Sequence, residues 1–551
     1  MTPRSSALAL LTAASLLGLP ACSKSEAPAS APSDAPQRVG WKPSAPVNVI
    51  LIVIDTLRAD AVLDPDGHYD TPNIDRLVSE GVSFPRAFSA APMTLPSHAS
   101  LFSSRDPYET KVLNNGQDVP KGLPLLAEWL EQHGYDTRGV ISLGTLNPPS
   151  KGPGISRGFG SYDHDYWCMA QAENTHGRLL ASLDKRDVSD QLFLFAHFSD
   201  PHEPYNAHGT EHTEIELRMD GEPFDRFPIS DMAFWKRSLP LSEGRTVFEF
   251  AIPGDGFGQF RIRLFQGTED GEPLDVDFMD YQLMDRVRSA VLAIDRKERA
   301  EASCDLQAWI NDVPPSDDSR RSRYAQEVAY VDRYVGELLK DLQDRGLYED
   351  SLIVFTSDHG EAMGEPRMQK GRPFFGHAQH LTDEQIHVPL VIRLPRNDPR
   401  RAELEAAAKH VVSHLDLVPT LLEIVGVDPL PGQRGVSLFE PHKTVHIAQT
   451  MRPEAKSDQV ALRDSHYKMI FYPGESESGP DRFELYDLEK DPGETLDVFP
   501  SEGAVRPEWP ARLRKLYQQS GGKYEEGNPL DDRENQKTDL NALGYGGDDE
   551  E

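Results

Sequence analysis

The chain has 551 residues, with 57 Lys and Arg against 90 Asp and Glu, a formal charge of −33. A hydrophobic share of 38% over that length supports a full core and excludes a wholly disordered chain. The acid excess argues against nucleic acid as a partner, because phosphate would be repelled over most of the surface. Three cysteines exclude a disulfide scaffold. An anionic substrate therefore needs a local positive centre, and a bound metal is the economical candidate.

The chain opens Met1-Thr2-Pro3-Arg4, runs apolar over 7–19, and continues Leu19-Pro20-Ala21-Cys22. A basic start, a short apolar stretch and a small residue before a cut are the parts of a secretory signal, too short for a comfortable membrane span. A cysteine directly after such a site resembles the bacterial lipoprotein box. Residues 1–22 are thus expected to be a lipoprotein signal with Cys22 lipidated, and 23–46 a Ser/Ala/Pro tether. The alternative is an ordinary signal with an incidental cysteine. This reading makes the protein exported and lipid-anchored in the bacterial envelope, at the outer membrane, periplasm or cell surface.

Next come four continuous apolar runs, 47–54, 192–198, 352–355 and 389–394, read as parallel strands buried on both faces. Helical patterns lie between them at 122–133 and 324–345. Alternating strand and helix predicts an α/β fold, a central sheet covered by helices on both faces. The catalytic domain is expected in two parts, 47–208 and 301–440. Between them, 209–300 breaks the rhythm with alternating stretches at 213–219, 246–252 and 259–265, and with Asp220-Gly221 as a turn signal. This is expected to be a β-rich insertion, a sandwich. Strand-like pieces at 459–462 and 467–472, then a helix at 507–519, predict a smaller C-terminal α+β subdomain over 441–520. Residues 521–551 read as a solvated acidic tail. Cys168 and Cys304 either pair or stay separate buried thiols.

Three strand runs end on polar residues: Asp55, Asp200 and Asp358-His359. Open α/β sheets bind ligands beyond the carboxyl ends of their strands, so these arrivals suggest one site. Thr94-Leu95-Pro96-Ser97-His98 enters a helix, with Pro96 near the first turn, which puts a hydroxyl beside an anion-binding helix N-terminus. Asp55, Thr94, Asp358 and His359 form an oxygen-rich donor set with one nitrogen, suited to one divalent cation. Such an ion would lower the pKa of Thr94 and polarise an ester oxygen. His202 could protonate the leaving oxygen. Each aspartate taken singly could instead cap a helix, and His202 could stiffen a Pro-rich loop.

Seven stretches, in order, carry a family resemblance. They are Asn48 through Asp60, Thr71-Pro72-Asn73-Ile74-Asp75-Arg76-Leu77, Thr94-Leu95-Pro96-Ser97-His98-Ala99-Ser100-Leu101, Asp200-Pro201-His202-Glu203-Pro204-Tyr205, Thr356-Ser357-Asp358-His359-Gly360-Glu361, Val388-Pro389-Leu390-Val391-Ile392-Arg393 and Glu484-Leu485-Tyr486-Asp487-Leu488 through Glu494. The chain resembles the sulfatase branch of the alkaline phosphatase superfamily from about residue 47 to 500. The resemblance implies a metal, calcium by analogy, on Asp55, Asp358, His359 and the nucleophile, with manganese or zinc also admitted by His359. It implies substrate contacts from His98, His202 and His377.

The departures carry chemistry. The position of the family's Cys or Ser, oxidised to formylglycine, is Thr94, which cannot undergo that oxidation. The supporting Arg position is His98, a metal-site aspartate is replaced by Thr56, and the Lys-bearing signature is missing around Ser142. A threonine ester lacks the aldehyde-forming exit of a formylglycine hydrate and needs direct attack by water or another acceptor. The expectation is a hydrolase of sulfate or phosphate/phosphonate esters, acting on a sulfated or phosphorylated small molecule, glycan or lipid. The alternatives are an envelope phosphoryl-group transferase with a Thr-linked intermediate, and a non-catalytic sulfatase-like binding lipoprotein.

Overall fold

The structure, a computed structural model, describes Pro43 and residues 46–521 apart from 64–66, 150–151, 165–168, 187–189, 204, 206–213, 229–234, 241–243, 252–257, 267–288, 297–302, 313–316, 366–373, 442–444, 452–457 and 475–480. The signal, Cys22, the tether apart from Pro43 and Pro46, the tail beyond residue 521 and the question of Cys168 pairing with Cys304 lie outside the described residues.

The central sheet has seven strands: β1 (Asn48–Ile54), β2 (Val82–Ser83), β3 (Tyr135–Val140), β4 (Ser161–Asp163), β5 (Gln191–Phe198), β6 (Ser351–Ser357) and β7 (Leu390–Arg393). Their order is β2-β7-β6-β1-β5-β3-β4. The five strands from β6 to β4 are parallel. The expected parallel strand at 389–394 instead runs antiparallel: β7 pairs with β6, and β2 with β7, in opposite sense. A continuous apolar run reports burial on both faces, and that burial is the same for either direction.

Alternation along β1 shows why helices cover both faces. Val49, Leu51 and Val53 join one core with Phe193, Phe195, Leu101 and Leu421. Ile50, Ile52 and Ile54 join another with Leu194, Leu179, Val331 and Leu338. The helix Asp317–Asp344, expected only from 324, starts seven residues earlier. The helix expected at 122–133 spans only Leu126–Gln132. Pro124 biases Leu123 away from helical backbone, so that helix starts after it.

The strand-rich insertion forms two antiparallel sheets. One orders Ser289–Arg296, Gly244–Ala251, Glu214–Met219 and Glu222–Pro228; the other orders Gly258–Gln266, Ser303–Asp312 and Trp235–Pro240. Asp220 and Gly221 join two strands with φ of 53° and 86°, the positive values that a tight hairpin turn requires. The strands continue past the expected boundary at 300, because Ser303–Asp312 pairs on both of its edges. Near the C-terminus, four antiparallel strands (His446–Thr450, Gln459–Arg463, Tyr467–Tyr472, Arg482–Asp487) pack Val460, Leu462 and Met469 against Trp509, Leu513 and Leu516 of the helix Trp509–Gln519. Among the described residues no helix is long and apolar enough to cross a membrane.

Candidate active site

Register brings the site together. β1 and β6 pair Ile54 with Ser357, so Asp55 and Asp358 leave adjacent parallel strands in step. The Asp55 amide donates to the Phe198 carbonyl at the end of β5 (2.8 Å), tying in the third strand end. Asp200, at that third end, serves differently: its Oδ1 accepts the Ala172 amide (2.8 Å) at the start of the helix Ala172–Asp184. Asp200 thus performs at this helix the capping that was the plainer role open to Asp55 and Asp358.

Thr94 is the first residue of the helix Thr94–Ser103 and is fully buried. Asn115 accepts the Leu95 amide (2.9 Å), replacing a cap that Met93 does not provide. Ser97 anchors the first turn by donating to the Asp358 carbonyl (2.7 Å). Thr94 Oγ1 thereby sits 3.3 Å from Asp55 Oδ2, to which it donates, and 3.5 Å from His359 Nε2. Thr56 is in the left-handed region (φ 58°) and turns its hydroxyl to the Asp55 carbonyl, while its amide donates to Asp358 Oδ1 (3.3 Å). Gly360 is required beside His359, since a Cβ there would stand 2.2 Å from the Glu384 carbonyl oxygen.

Asp55, Asp358 and His359 are fully buried and offer donor atoms within 4.8 Å of one another. Burial, then the charges of Asp358 and Glu361, push the Asp55 carboxyl well above its ordinary value. Burial pushes Asp358 up to about 8, against the lowering hydrogen bonds from the His359 and Thr56 amides. Burial, with His377 nearby, holds His359 well below its usual value. Asp55 Oδ1 and Asp358 Oδ2 have no hydrogen-bond partner. Two buried carboxylates with unmet oxygens and a neutral imidazole suit a divalent cation: each carboxylate alone opposes the other's charge, and a cation reverses that.

His377 lies beside this cluster, its ring centroid 4.5 Å from that of His359 and 4.9 Å from that of His202, and its Nδ1 is 3.0 Å from Glu361 Oε2. His202 donates from Nδ1 to the Glu203 carbonyl (2.5 Å), which leaves the lone pair on Nε2. Burial and then His377 push it down to about 3. His202, the proton donor expected from the sequence, thus stands beside His377 at the edge of the cluster. His98, expected at the substrate, is fully buried, because helical spacing folds its ring back to donate from Nδ1 to the Thr94 carbonyl (2.8 Å). Sequence reasoning assigned nothing to His197, Glu361 or Asn115. The one available signal was polarity: His197 interrupts the apolar run of β5, and Glu361 follows Asp358-His359-Gly360 directly.

Comparison with known proteins shows what the chain as a whole is similar to. Residues 47–427 match the Sulfatase family, and residues 374–519 match the C-terminal family of N-sulphoglucosamine sulphohydrolase. A choline-sulfatase of Rhizobium meliloti (strain 1021) is 25% identical over 477 residues, covering 82% of each chain. An N-acetylglucosamine-6-O-sulfatase of Bacteroides thetaiotaomicron is 20% identical, covering 88% of this chain and 87% of its own. The same fold is found in the phosphonate monoester hydrolase of Agrobacterium radiobacter, with a TM-score of 0.54 and 20% identity over 86% of this chain and 96% of that one.

Proposed function

Since the chain belongs to the sulfatase family and is an ester-bond hydrolase, we propose that it cleaves sulfate or phosphate/phosphonate esters with Thr94 as the nucleophile, phosphorus esters being preferred. The observation that carries this is the position of Thr94 Oγ1, 3.3 Å from Asp55 Oδ2 at a helix N-terminus. Attack by this oxygen on the central atom of the ester would break the bond to the leaving oxygen and leave an ester on Thr94. Water would then release it by a second attack on the same central atom. A threonine ester offers no aldehyde exit, so the second displacement must occur at sulfur or phosphorus itself. The phosphonate monoester hydrolase of similar fold supports phosphorus as the central atom.

One divalent ion on Asp55, Thr94, Asp358 and His359 would supply Lewis-acid stabilisation of the ester oxygens; calcium follows from the family, manganese or zinc from the imidazole. Asp55 accepts the Thr94 proton, and Asn115 fixes the helix start that orients the hydroxyl. His377, held by Glu361, and His202 would meet the non-bridging and leaving oxygens. An anionic ester would favour the protonated form of His202 and restore it as a donor. The substrate class is a phosphorylated or sulfated small molecule, glycan or lipid, and Cys22 lipidation would hold the enzyme at the bacterial envelope. Replacing Cys22 by Ser is expected to move the protein from the membrane to the soluble fraction.

The test is turnover of nitrophenyl phosphate, phosphonate, phosphodiester and sulfate esters with calcium, manganese or zinc, with Thr94→Ala as blank. Thr94-dependent release, fastest from a phosphorus ester, supports the reading. Equal activity in the variant sinks it.

A further inference from the structure

Beside the proposed first ion, a second group of donors is left unused. His98, His197 and Asp358 are fully buried and offer donor atoms within 4.8 Å of one another. His98 Nε2, His197 Nε2 and Asp358 Oδ2 all lack a hydrogen-bond partner. The other ring nitrogen of each histidine is held: His98 Nδ1 donates to the Thr94 carbonyl (2.8 Å), and His197 Nδ1 lies 3.1 Å from Ser142 Oγ. Histidine ligands of metals are arranged in this way, one nitrogen fixed by a neighbour and the other presenting a lone pair. For His98 the tautomer is determined, because a carbonyl can only accept.

A core histidine usually satisfies both nitrogens, and leaving one unmet costs about 1–3 kcal/mol. Here two rings, with centroids 5.2 Å apart, do so together with a carboxylate oxygen. A protonated imidazole paired with Asp358 is the competing explanation. Phe102 and Phe195 pack against His98, and Phe195 against His197, so the surroundings disfavour charge on either ring.

We propose that His98, His197 and Asp358 hold a second divalent ion, with Asp358 shared between it and the ion on Asp55 and His359. Two imidazole nitrogens and one carboxylate oxygen select a borderline metal such as zinc over calcium, and three protein ligands leave a fourth position open. Asp55 Oδ2 stands 3.8 Å from His197 Nε2, so the two sites adjoin at the atom that accepts the Thr94 proton. The inference depends on the proposed function only through the shared Asp358.

The test is zinc bound per chain by equilibrium dialysis of the chelator-stripped full chain, with elemental analysis. Two equivalents are expected in the native protein and one in each of His98→Gln and His197→Gln, with folding followed by near-ultraviolet circular dichroism. One equivalent in the native protein, or two that persist in both variants, overturns the second site. Should the variants not fold, zinc-edge anomalous scattering from the native protein decides. A second peak about 2.1 Å from a nitrogen of each of His98 and His197 supports it, and a single peak sinks it. Two bound zinc ions without ester turnover would defeat the function proposed above while this site stands. One ion with Thr94-dependent turnover would do the reverse.

Discussion

Two buried charge clusters in this molecule differ in one respect, and the difference separates structure from chemistry. Between Asp383 and the C-terminal sheet, the fully buried Lys468 donates to Asp383 (2.8 Å) and pairs with Glu494 (2.7 Å), while Arg463 reaches Asp383 at 3.0 Å. Burial works against the Asp383 carboxylate, yet Arg463 and Lys468 hold it well below its usual value. At the strand ends, Asp55 and Asp358 are equally buried, and their ion-pair partners among the described residues are histidines that burial keeps neutral. The first cluster carries its own cations and is complete. The second has no Lys or Arg among its ion-pair partners within the described residues, and the nucleophile proposed above, Thr94, stands 3.3 Å from Asp55 Oδ2.

The largest effect expected at the incomplete cluster is on activity. Thr94→Ala should lower ester turnover by roughly a thousandfold or more, because it removes the nucleophile rather than a support. A residual rate within tenfold, measured with a metal-loaded protein, would break the comparison at its functional end.

Lys468→Met should do the opposite, with little effect on chemistry and a loss of about 3–5 kcal/mol of stability, read by urea unfolding. It leaves Glu494 buried without the cation it pairs with, and Asp383 with Arg463 alone. An unchanged unfolding midpoint would show that water or rearrangement reaches that cluster.

Asp55→Asn sharpens the contrast, because the two properties should move apart. Removing one of two opposed carboxylates should raise the melting temperature of the metal-free protein while weakening metal binding by roughly tenfold to a hundredfold or more. A fall in metal-free melting temperature would mean that the pair is already neutralised.

The smallest effect concerns pH. His446 donates to the Ser89 carbonyl (2.9 Å), and burial holds it down to about 4. A histidine depressed in the folded state is protonated first in the unfolded chain. Its stabilising contribution is therefore complete above pH 6.5 and is lost as pH falls toward 4. His446→Gln should flatten the stability slope in that window by one proton's worth, leaving the contributions of the other histidines that burial depresses, His98, His197, His202, His359, His387 and His414. An unaltered slope in thermal melts at pH 4.5 to 6.5 would count against this assignment.

Much of this was legible in the chain. Continuous apolar runs ending in Asp55 and Asp358-His359 placed two carboxylates and an imidazole at one sheet edge, because parallel strands deliver their carboxyl ends to the same side. The Thr94 motif announced a helix start, and Asp220-Gly221 announced a hairpin. Such features depend on local backbone preference and periodicity, which the order of residues carries by itself. The direction of β7, the capping role of Asp200, and the meeting of His98 with His197 came only from the tertiary structure. His98 and His197 are separated by 99 positions along the chain, and neither has a local partner that reveals the other. Their unmet nitrogens exist only once β5 and the helix Thr94–Ser103 pack together and exclude water, which is a property of burial between elements rather than of either segment alone.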